Sequence, residues 1–185
     1  MVVEKEEQRL FIIISQTGTL LSNILRLITG AKYNHVSIGL YDDLDKMYSF
    51  GRLNPYNPFH GGFVIESPHS GTFKRFKNTD VIVLSLDVGY EKHGEIFDFV
   101  EDMCSHRKKY HYNYFGLIFA SLHIVVRRRN RYYCSEFVRD ILRKFNIEGS
   151  YEMNSIVLPI DFLNLPFANI IYEGKLRDYS AEIHC

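Results

Sequence analysis

The sequence has no tryptophan, no cysteine pair, no net charge and no long apolar run. Lys+Arg and Asp+Glu both number 22, and with neither sign in excess nucleic-acid binding is not expected as the main role. The three cysteines, Cys104, Cys134 and Cys185, form no C-x-x-C motif and are odd in number. That argues against a disulfide scaffold or a zinc ribbon and fits a reducing compartment. There is no H-E-x-x-H, no His/Cys cluster at ligand spacing and no phosphate-binding glycine loop, "FHGGF" being only a turn. No metal and no cofactor are therefore expected. The G-x-S-x-G elbow of one serine hydrolase class is also missing. The longest apolar stretch, "YFGLIFASLHIVV", is interrupted by Gly116, Ser121 and His123 and is too short to span a bilayer as a helix. The opening "MVVEKEEQRLFIII" lacks the basic start and small-residue cleavage site of a signal peptide. A soluble, cytoplasmic protein is the expectation.

What is present points to one mixed domain. A chain of 185 residues, 46% hydrophobic, can bury a sizeable core, and no linker or repeat divides it. We take residues 1–185 as a single domain with a frayed tail from about 177. "RLFIIIS", "HVSIGLY", "KMYSFGR", "GGFVIES", "DVIVLSLDV" and "NIIYEGKL" read as strands. "TGTLLSNILRLITG" and the stretch from Glu91 to Lys109 carry helical stripes, and "VLPIDFLNLP" reads as a short helical turn. Cys104 falls on the apolar face of the second stripe and reads as core. "NYFGLIFASLHIVV" reads as a helix packed on both sides. Strands gather in the first half and helices in the second, which predicts an α+β fold.

The segment "YYCSEFVRDILRKF" places a thiol where a helix begins. Phe137, Val138, Ile141, Leu142 and Phe145 form a stripe of helical period, with Arg139, Asp140, Arg143 and Lys144 on the other side. Cys134 lies one turn before Val138, on the buried side of the first turn. There it feels the unpaired N–H groups and the positive end of the helix dipole, which favour a thiolate. A cysteine nucleophile needs a base, most often histidine. His93, His106 and His111 sit in charged stretches, His60 and His69 in glycine-proline loops, His123 on an apolar helix and His184 in the tail. His35 opens a strand, where sheet geometry would hold its ring in place. Alternation puts His35, Ser37 and Gly39 on one face and Val36, Ile38 and Leu40 on the other.

"ISQTGTLLSNILRLITGAKYNHVSIGLY", followed about a hundred residues later by "YYCSEFV", resembles the circularly permuted branch of the NlpC-type papain-like hydrolases, which includes YiiX-like and lecithin retinol acyltransferase-like proteins. The resemblance implies a papain-like fold, an antiparallel sheet packed against helices, with the histidine strand before the cysteine helix. It further implies Cys134 as nucleophile and His35 as base. The third, polar member matches Ser49 in "KMYSFG", with Glu66 in "FVIES" as the alternative that orients His35.

These readings predict a cysteine hydrolase, peptidase- or amidase-like, that attacks an amide or ester and passes through an acyl-enzyme. The alternatives are a lipid-directed acyltransferase or phospholipase-like enzyme, and an inactive papain-like binding module. The expected partner is a small-molecule, peptide or acyl-lipid substrate. The apolar run ending in "RRRNR" reads first as a core helix followed by a solvated charge run. Peripheral membrane contact is the second reading.

Overall fold

The computed structural model describes residues 8–17, 32–57 and 59–181. Apart from Thr17, the helix expected over Thr17–Gly30 lies outside them. Within them the fold is α+β. Eight strands form one sheet: β1 (Arg9–Gln16), β2 (His35–Gly39), β3 (Met47–Arg52), β4 (Gly61–Glu66), β5 (Asp80–Asp87), β6 (His111–Tyr112), β7 (Arg131–Tyr132) and β8 (Asn169–Lys175). Their order across the sheet is β7-β6-β4-β3-β2-β1-β5-β8. Every neighbouring pair is antiparallel except β6 and β7.

Each strand sorts its side chains between the two faces. Leu10, Ile12 and Ile14 of β1, Val36 and Ile38 of β2, and Ile82, Leu84 and Leu86 of β5 enter the larger core. Phe11 and Ile13 of β1 and Val81 and Val83 of β5 enter a smaller core on the opposite face. Both faces of β1 and β5 are thus buried, and their sequences are near-continuous apolar runs, broken in β5 only by Ser85, rather than alternating ones.

Four helices accompany the sheet among the described residues: α1 (Gly71–Arg75), α2 (Tyr90–Ser105), α3 (Tyr114–Ser121) and α4 (Cys134–Lys144). Ile96, Val100 and Met103 of α2 and Phe137, Val138, Ile141 and Leu142 of α4 complete the larger core. Phe73 of α1 belongs to the smaller one, with Leu44, Met47 and Leu176. A 3₁₀ turn over Pro159–Asn164 sits where "VLPIDFLNLP" predicts a helical turn. No helix among the described residues is long and apolar enough to cross a membrane.

Aromatic contacts fix α4 on the sheet. The Phe137 ring lies 5.2 Å from Phe50 of β3 and 5.7 Å from Phe63 of β4, and Phe50 and Phe63 are themselves 5.7 Å apart. Tyr132, just before the helix, is 5.1 Å from Phe50. Tilted and edge-on packing of this kind adds to the burial energy of each ring. It anchors the first turn of α4 more firmly than aliphatic contact alone.

Three expectations need correction. Helix α3 ends at Ser121 instead of running through Val126, and it is not enclosed: Phe115 and Ile118 are each 60% exposed. His123 stands just beyond it with φ of 60°, in the left-handed region. The start of α3 is capped by Asn113, whose Oδ1 accepts from the Gly116 N–H at 3.0 Å. A Cβ at Gly116 would stand 2.1 Å from Asn113 Nδ2, so the cap requires glycine there. The second correction is Arg139, which the helical pattern assigns to the solvent side and which is fully buried. The third is His93, which is buried and whose Nε2 donates to the Leu40 carbonyl at 2.9 Å.

Phe137→Ala is expected to cost about 3–5 kcal/mol, the usual range for removing a buried aromatic ring. The midpoint of urea unfolding, followed by circular dichroism, would measure it.

Candidate active site

Cys134 is the first residue of α4 and only 4% exposed. Tyr133, the N-cap, has extended backbone, and its side chain makes no capping hydrogen bond. The Tyr133 side chain thus satisfies none of the first-turn N–H groups around the thiol. Cys134 lies close enough to His35 to favour the charged ring. The two residues singled out from the sequence come together in space.

The other side of the His35 ring meets a carboxylate. Nε2 lies 2.9 Å from Glu66 Oε2 and 3.1 Å from Oε1, which leaves Nδ1 outside that contact. Ser37, next on the same face of β2, donates its hydroxyl to Glu66 Oε2 at 2.6 Å. Burial alone would push the imidazolium down. The Glu66 charge, with the nearby Cys134 thiol and the hydrogen bond to Glu66, outweighs that and holds His35 up at about 10. The imidazole is thus a cation at neutral pH, flanked by a carboxylate and a thiol. Because this value lies above the ordinary one of about 6.5, the contact stabilises the fold fully below that pH. The contribution is then lost as pH rises through about 10.

Ser49, expected to orient His35, does not. It is fully buried, and its hydroxyl donates to the Val36 carbonyl at 2.7 Å. The β2–β3 ladder ends at Ile38–Tyr48, and Ser49 takes up a carbonyl that the ladder no longer reaches. Glu66, the alternative, occupies the orienting position.

A cavity of about 760 Å³ opens at Cys134. Tyr33, Asn34, Tyr133 and Ser135 line it near the thiol, Leu117, Ala120, His123 and Val125 form one wall, and residues 154–159 form another. That second wall and the chain leading into it from Ser150 are tied to the Cys134 helix by three side chains one turn apart. Ser135 Oγ donates to the Val157 carbonyl at 2.6 Å, Arg139 Nη1 donates to the Ser155 carbonyl, and Arg143 Nε donates to the Ser150 carbonyl at 2.9 Å. Arg143 Nη2 also donates to the Met153 carbonyl. The helix that carries the thiol therefore also fixes the wall facing it. The sequence pattern marks these arginines as polar-face residues and contains no sign of what covers them.

Two further acidic or thiol groups bear on the chemistry. Glu136, next but one to Cys134, is 4% exposed; burial and the Asp140 charge push its carboxyl up. This weakens the negative charge it would otherwise set against a thiolate. Cys104, partly buried, is pushed up to about 11 by burial and by Glu101, so its thiol stays protonated at neutral pH. Cys185 lies outside the described residues. Among the described residues no cluster of three or more His, Cys, Asp or Glu is placed to hold a metal ion. No protein-family model, curated protein or solved structure matches the chain.

Glu66→Gln keeps the shape of the side chain and removes its charge. The His35 ring resonances, followed by NMR, are expected to titrate at least about one pH unit lower in this variant. Ser49→Ala should leave that titration unchanged and lose about 1 kcal/mol of stability from one buried hydrogen bond. Arg139→Leu is expected to cost about 1–3 kcal/mol and to raise amide exchange selectively over residues 153–158.

Proposed function

We propose that this protein is a cysteine hydrolase that cleaves an amide or ester, with Cys134 as nucleophile, His35 as base and acid, and Glu66 as the group that orients and charges the imidazole. The observation that carries this reading is the largely buried His35 ring, set between the Glu66 carboxylate and the Cys134 thiol at a helix N-terminus beside a cavity. A buried thiol that merely fills space needs neither a cationic partner nor an acid to charge that partner. The arrangement also fits a papain-like fold in permuted order, with the histidine strand β2 preceding the cysteine helix α4.

The chemistry follows from the charges. In the resting pair the Cys134 proton resides on His35, as the imidazolium that Glu66 favours. The Cys134 thiolate attacks the substrate carbonyl and forms a C–S bond, and the carbonyl electrons move to oxygen. The N–H of Cys134 at the start of α4 donates to that oxyanion, with a second donor from the cavity wall, where Tyr33 and Tyr133 both present side chains. As the oxyanion collapses, the C–N or C–O bond breaks and the imidazolium protonates the leaving group. Neutral His35 then deprotonates a water that attacks the thioester. The acid is released, and the sulfur leaves as thiolate.

Cys134→Ala and His35→Ala are each expected to lower kcat/KM by about a thousandfold or more on a responsive aryl ester or anilide. Intact-mass spectrometry should show one acyl group on wild type and none on Cys134→Ala. Activity should fall on the alkaline side as His35 loses its proton near pH 10, and that limb should move to lower pH in Glu66→Gln. Wild-type turnover in both alanine variants would sink the mechanism.

A further inference from the structure

The segment between Asn113 and Asn130 leaves the sheet and returns to it, and its outward side is apolar. Phe115, Ile118 and Leu122 are 60%, 60% and 61% exposed, and Phe119, Ile124 and Val125 are exposed beside them. Isolated apolar side chains are ordinary on a protein surface, but six within residues 115–125 form a patch of the kind that marks an interaction site. Helix α3 has no charged residue, and no Asp or Glu occurs anywhere in residues 113–131. Arg127, Arg128 and Arg129 follow and are exposed. The Arg128 guanidinium lies 5.8 Å from the centre of the Phe115 ring, so the cations border the apolar surface directly.

This combination selects among partners. Nucleic acid offers phosphates to the arginines and nothing to Ile118 or Leu122. A bilayer with anionic headgroups offers hydrocarbon to the aliphatic side chains and phosphates to the arginines at one depth boundary. We propose that this face docks the protein on an anionic lipid bilayer, with Phe115, Ile118 and Leu122 entering the acyl boundary and Arg127, Arg128 and Arg129 among the headgroups. With no described helix long enough to span, the protein lies on the membrane by this face. Leu117, Ala120, His123 and Val125 of the same segment wall the cavity at Cys134, so docking brings the cavity to the lipid surface. The proposal stands on exposure and charge and does not depend on Cys134 being a nucleophile.

Co-sedimentation with vesicles of phosphatidylcholine and phosphatidylserine in equal parts, compared with phosphatidylcholine alone at low salt, tests it. The full chain is expected to pellet with the mixed vesicles and far less with the neutral ones. Ile118→Glu should weaken binding by at least about tenfold. Reversing Arg127, Arg128 and Arg129 together to Glu should remove the preference for phosphatidylserine, at about fivefold or more per position. Circular dichroism checks that each variant is folded. If Ile118→Glu does not fold, the triple variant, altered only at exposed positions, decides the matter. The proposal is overturned if wild type fails to pellet, if pelleting ignores phosphatidylserine, or if the folded variants bind like wild type. It is equally overturned by a concentration-dependent dimer that Ile118→Glu dissolves, since the face then belongs to a second copy of the chain.

Discussion

The contact between His35 and Glu66 is the constraint to which the rest of the site conforms. A largely buried imidazolium and a buried carboxylate both lose hydration, and their mutual attraction repays this only when geometry is good and remaining lone pairs are satisfied. Both conditions are met. The carboxylate lies within 3.1 Å of Nε2 through either oxygen and accepts a further bond from Ser37. Sheet position supplies the precision, because His35 and Ser37 share one face of β2 and Glu66 ends β4. The thiol beside the ring then faces a cation. The charge on the ring is set before any substrate arrives.

Helix α4 meets this pair with three duties along its length. Its first turn presents the thiol, its apolar stripe packs on Phe50 and Phe63, and its polar side holds the chain from Ser150 to Val157. The arginines are used as stapling groups. A guanidinium donates in several directions from one plane, so a single side chain can satisfy carbonyls of an irregular loop that has no ladder of its own. Arg139 also pairs with Asp140, which offsets the cost of leaving its charge without water.

Much of this was legible in the sequence. The strands declare themselves by alternation or by unbroken apolar runs, and α4 by its stripe, because burial imposes those periods locally. Cys134 and His35 could be named from their places at the start of a helix and of a strand. The choice between Ser49 and Glu66 could not be made, since it depends on where the β2–β3 ladder stops, and pairing length leaves no trace in either strand. Arg139 was misplaced for a related reason: a period tells which face of a helix is polar and is silent on whether a distant loop covers that face. The run around α3 misled in the opposite sense. Apolar composition suggests enclosure, yet the neighbours that would enclose these side chains are not there among the described residues.

The single parallel pairing in the sheet has its own consequence. β6 and β7 lie side by side, with the His111 N–H bonded to the Asn130 carbonyl at 3.0 Å and the Asn113 N–H to the Tyr132 carbonyl at 2.9 Å. The excursion between them therefore starts and ends at neighbouring points. For such a closed loop the entropy of closure rises only logarithmically with length, and its anchors belong to the sheet rather than to the loop. Sequence drift can lengthen, shorten or recharge this segment while Tyr133 still delivers Cys134 to the same place. It is the part of the molecule that descendants could exchange most freely, giving one fixed thiol–imidazole pair a succession of different outer surfaces.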